Sequence, residues 1–196
     1  FARYERGEDE VWMTQAPWRD ADLLADGSAS GEAKVKRTAD VLRMLARMGW
    51  RADDDRVARG MRWLENHAQR DLGRDGVETL AALGRCVAEL CGADSPLRQQ
   101  VERHLRGRQL EDGSFGGIVA TALALDALVA LEAKPCVQAI RAARRLVAAI
   151  EGGDPGELPG ATVAGHGLSP TAYDPSAGVR EAAIALRAFA DSGGVL

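Results

Sequence analysis

The feature that most constrains this chain is a repeat of about 40 residues. Thr38-Ala-Asp-Val-Leu, Thr79-Leu-Ala-Ala-Leu and Thr121-Ala-Leu-Ala-Leu are spaced by 41 and 42 residues. Leu64, Leu105 and Leu146 are spaced by 41 and 41. A fourth copy occurs at residues 180–189, Arg-Glu-Ala-Ala-Ile-Ala-Leu-Arg-Ala-Phe. A unit of this length with two helical stripes cannot bury its apolar face alone, so neighbours must stack. A helical solenoid or a closed ring of helices follows.

Within each unit the apolar residues recur at i, i+3/i+4, i+7, the spacing of an amphipathic helix. The stripes are Val41, Leu42, Leu45 and Met48; Val57, Met61 and Leu64; Leu80, Leu83, Val87 and Leu90; Leu97, Val101 and Leu105; Leu125, Leu128 and Leu131; and Val137, Ile140, Val147 and Ile150. No run of β-branched residues alternates with polar ones, so the expected class is all-α. Ser95-Pro96 reads as an N-cap followed by proline at the first helical position, and Pro135 opens the next helix alike. Asp53, Asp54 and Asp55 precede a helix expected near Arg56, where negative charge favours the N-terminus. The division predicted is an irregular segment over 1–37, helix pairs over 38–150, a loop over 151–178 rich in glycine and proline, and a final helix over 179–196.

Composition excludes several functions. The net charge is −4, which provides no basic field for a nucleic-acid backbone, so no nucleic-acid partner is expected. Three cysteines (Cys86, Cys91, Cys136) without a C-x-x-C read as thiols of a reducing, cytoplasmic compartment, not as a disulfide framework or zinc site. His67, His104 and His166 lack metal-ligand spacing; all three read as structural, with His67 and His104 on exposed helix sides. No metal site is predicted. The longest apolar stretch, Ile118 to Leu131, is interrupted by Asp126 and is too short to span a bilayer. The motifs of phosphate-binding loops, dinucleotide folds and serine hydrolases are absent from the sequence.

One turn carries a further signal. Gln109-Leu-Glu-Asp112-Gly113-Ser-Phe115, followed by Gly116-Gly117, has a Q-x-x-D-G-x-aromatic pattern in phase with the helix repeat. It resembles the repeat turn of the squalene-hopene cyclase and protein prenyltransferase superfamily. In that family the glutamine bonds a neighbouring helix end and the aromatic packs on it. Asp75-Gly76 and the stretch 151–156 read as weaker copies. The resemblance extends further. Phe1-Ala-Arg-Tyr4-Glu5, Gln15-Ala-Pro17-Trp18, Asp26-Gly27 and Val35 to Gly49 are similar to the run that follows the acid motif of squalene-hopene cyclases. The segment from Gly165 to Tyr173 is similar to their closing G-x-G-F-P-x-x-F-Y.

Nearly the whole chain thus resembles the C-terminal half of a class II terpene cyclase. The resemblance implies an (α/α) toroid, here part of a double ring of helices around an apolar cavity. About seven or eight helices fit the length, too few to close such a ring. The remainder of the polypeptide or another chain is then expected to complete it. The resemblance also implies an isoprenoid substrate, either a squalene-like triterpene or a prenyl diphosphate, and peripheral contact with a membrane surface. Tyr4, Glu5, Trp12, Gln15, Trp18, Leu168 and Tyr173 are the residues it assigns to lining the cavity or positioning the acid. Lys34, Lys36 and Arg37, expected just before a helix start at Thr38, form a candidate diphosphate site. Magnesium would accompany a diphosphate. Gln109, Asp112, Gly113 and Phe115 form the structural turn.

The departures matter as well. The protonating D-x-D-D motif does not occur in these residues: Asp53-Asp54-Asp55 is followed by Arg56, and Asp20-Ala-Asp22 by Leu23. The general acid is therefore expected upstream, no catalytic residue is assigned here, and the chain alone is expected to be inactive. Gln15 aligns with a family histidine; it can donate a hydrogen bond but carries no positive charge. Leu168 and Ala172 align with pocket aromatics. The competing expectation is a catalytically silent helical-repeat toroid that serves as a protein-interaction module.

Overall fold

The structure, a computed structural model, describes residues 3–4, 12–13, 30–132, 135–152, 161–163, 172–174 and 177–195. Among these residues it is helical, with seven helices and two short antiparallel strand pairs. The chain forms two compact units, Phe1–His104 and Leu105–Leu196.

The first unit opens with strands β1 (Arg3–Tyr4) and β2 (Trp12–Met13), paired antiparallel. Helix α1 follows at Gly31–Arg47 and packs on β2, on α2 (Asp55–Asp71) and on α3 (Val77–Leu90). Helix α4 runs from Pro96 to Arg106, with proline at its first position as the sequence indicates.

Helix α1 starts seven residues before the expected Thr38, and the start has a local cause. The Ser30 hydroxyl accepts the Ala33 N–H at 3.1 Å, which caps the helix inside the segment read as irregular. The buried face accordingly begins at Ala33 and Val35 and runs through Thr38, Ala39, Val41 and Leu42. Met48, expected in the stripe, is instead 68% exposed. The chain turns off the helix at Gly49, two residues past Arg47; the φ of +91° at Gly49 is open to glycine without a Cβ penalty. There the Gly49 N–H donates to the Ala46 carbonyl and the Trp50 N–H to the Leu45 carbonyl, closing the last turn.

Helix α2 begins at Asp55 with Asp54 as N-cap residue. The Asp54 carboxylate does not cap the helix; it accepts the Arg51 N–H at 2.6 Å and so holds the preceding turn. Leu42 of α1, Val57, Met61 and Leu64 of α2, and Leu80, Leu83 and Val87 of α3 are all buried in the core of this unit. Each such leucine, fully withdrawn from water, contributes about 1.5–3 kcal/mol.

The second unit centres on α5 (Ile118–Leu131), which packs on α6 (Val137–Gly152) and on α7 (Ala177–Asp191). Its buried apolar residues surround the helix: Ile118, Ala122, Ala124, Leu125, Ala127, Leu128 and Leu131. A helix apolar on most of its circumference must be covered on more than one side. This explains the longest apolar stretch of the sequence.

Helix α6 corrects the stripe read from its large residues. Val137 is 66% and Ile150 38% exposed, while Ala139, Ala142, Ala143, Leu146 and Ala149 are buried. Alanines on the inner face let the helix axis approach its neighbours closely. Strands β3 (Ala161–Val163) and β4 (Ala172–Asp174) pair antiparallel.

Candidate functional site

The turn before α5 is built from its own residues outward. Gln109 Nε2 donates to the Gly113 carbonyl and to the Gln138 carbonyl in the first turn of α6, both at 2.9 Å. One amide group thus ties the turn to a helix 29 residues away. The Gln109 Oε1 is buried without a hydrogen-bond partner. Asp112 Oδ1 accepts the Ser114 N–H at 2.9 Å and the Ser114 hydroxyl at 2.8 Å, and Asp112 Oδ2 lies 3.5 Å from Arg145 Nε. These donors, the Ser114 N–H first, hold the Asp112 carboxyl below the usual carboxylate range. Arg141 of α6 donates to the Glu111 carbonyl across the same turn.

Gly113 is demanded twice: its φ is +87°, and a Cβ there would lie 3.0 Å from the Arg141 carbonyl oxygen. Phe115 is buried, and its N–H donates to the Thr121 hydroxyl at 3.0 Å. Gln109, Asp112, Gly113 and Phe115 therefore all act in one fixed turn.

Asp75-Gly76 is not a copy of that turn. Gly76 is the N-cap of α3, with φ −70° and ψ 165°, close to the φ −75° and ψ 171° of Gly117 at the start of α5. It matches Gly117, not Gly113. The α3 N-terminus is held from α1: Glu32 accepts the Gly76 N–H at 2.9 Å and the Thr79 hydroxyl at 3.4 Å. The carboxylate also sits where the helix dipole favours negative charge.

A buried polar pair lies elsewhere. His67 Nε2 is 2.8 Å from Asp75 Oδ2, and the two residues are 8% and 2% exposed. His67 is therefore a core residue, not the exposed one its helix pattern suggests. The Trp63 ring stacks on it at 6.1 Å between centroids. The i, i+4 spacing of Trp63 and His67 was readable in the sequence. Their link to Asp75, across the end of α2, had no sequence signal. Such a pair orients the imidazole and ties α2 to the turn that leads into α3.

The other sequence-predicted residues fall as follows. Tyr4 and Trp12 stand directly opposite each other in the β1–β2 register. Tyr173 pairs with Thr162 across β3–β4. Glu5, Gln15, Trp18, Leu168 and the stretch 153–156 lie outside the described residues, as does His166. Lys34, Lys36 and Arg37 do not precede a helix; they lie in the first two turns of α1. Positions two apart on a helix do not face each other, so Lys34 and Arg37 share a side that Lys36 does not. Lys36 Nζ is instead 3.6 Å from Glu78 Oε2.

The three thiols are held protonated. Burial pushes Cys86 far above the ordinary thiol range and also raises Cys91 and Cys136. Among the described residues no group of three or more His, Cys, Asp or Glu could hold a metal ion, and no helix is long and apolar enough to cross a membrane.

No protein-family model, no curated protein and no solved structure matches this chain.

Proposed function

We propose that this chain is part of a class II, protonation-initiated terpene cyclase, in which helix couples form an (α/α) toroid around an apolar chamber. The observation that carries the reading is the Gln109 amide bridging its own turn and the first turn of α6. That is the contact the resembling family uses between successive helix pairs. Further support is the pairing of first helices, α1 on α3 and α5 on α7, which on this reading form the inner layer.

The substrate class is an isoprenoid, a prenyl diphosphate or a squalene-like triterpene. A desolvated aspartic acid of such a catalyst protonates an alkene or epoxide, and the cavity shape guides the resulting cation. These 196 residues contain no D-x-D-D, so this chain contributes chamber wall, not the proton donor. Tyr4, Glu5, Trp12, Gln15, Trp18, Leu168 and Tyr173 are its proposed lining and positioning residues. Of the basic cluster, Lys34 and Arg37, which share one side of α1, would meet a diphosphate together with magnesium, while Lys36 faces Glu78.

A second reading, a silent helical module for protein contacts, is favoured by the exposed Met44 and Met48, 46% and 68% accessible. Calorimetric titration with geranylgeranyl diphosphate plus magnesium, beside squalene in micelles, separates the two. The cyclase reading expects saturable binding of one of them and no cyclised product from this chain alone. Diphosphate binding unchanged by Lys34→Ala and Arg37→Ala would remove the basic cluster from the site. Binding of neither isoprenoid would leave the interaction module.

A further inference from the structure

We draw no further inference here: the strongest candidate, the exposed Met44–Met48 patch at the C-terminal end of α1, carries nothing because nothing in the structure shows what covers it.

Discussion

Gly113 and Arg141 stand so close that a Cβ on the glycine would be 3.0 Å from the arginine's carbonyl oxygen. Gly116, three residues on, has φ +105° but open space around it. The two glycines therefore separate backbone strain from crowding. Gly116→Ala costs about 1–2 kcal/mol, the strain of a left-handed residue. Gly113→Ala costs that and about 1–3 kcal/mol more, because α6 must shift. Urea unfolding of both variants checks the difference; equal losses would mean that α6 does not press on the turn.

The Gln109 amide makes two hydrogen bonds, each contributing about 0.5–1.5 kcal/mol net. Gln109→Leu is expected to lose about 1–3 kcal/mol. Gln109→Glu should lose more, since it sets a carboxylate against two carbonyl oxygens. Amide hydrogen exchange in the first turn of α6 should quicken in both. Unchanged exchange there would show that the bridge to Gln138 does not hold the helix.

His67→Phe keeps a ring against Trp63 and removes the nitrogen that meets Asp75. Losing one side of a buried hydrogen bond costs about 1–3 kcal/mol, so a loss of that size is expected. Asp75→Asn tests the other partner, and the double variant should lose less than the sum of the two. Additive losses would show that the residues do not act as a pair.

The Asp112 carboxyl titrates below the usual range because the Ser114 N–H and hydroxyl, then Arg145, favour its charged form. A depressed folded value gives stability that is present above the unfolded carboxylate range and lost as pH falls through the folded value. Asp112→Asn should therefore narrow the stability difference between about pH 5 and about pH 2. An unchanged pH profile would contradict this assignment.

How far the sequence could be read depended on residue size and on distance along the chain. The helices α2, α3 and α5 were legible because large apolar residues mark their buried faces. The inner face of α6 was not, because alanine carries little periodic signal, and Val137 and Ile150 pointed to the wrong side. The first turns of α1 were missed because Ser30-Gly31 does not announce a helix as Ser95-Pro96 does. The Gln109–Phe115 turn was legible as a pattern, but the Arg141 contact that requires Gly113 was not. The histidine pairing was illegible, since Asp75 lies beyond the end of α2 and no helical spacing joins it to His67.

Hydrogen–deuterium exchange of the chain with and without a saturating isoprenoid, squalene in micelles or geranylgeranyl diphosphate with magnesium, tests the proposed toroid and its proposed chamber together. If the proposed chamber holds the isoprenoid, exchange slows along the first helices of each couple, α1, α3, α5 and α7, with α2, α4 and α6 little changed. Exchange unaltered by either isoprenoid, or slowed on α2, α4 and α6 alone, would contradict the proposal.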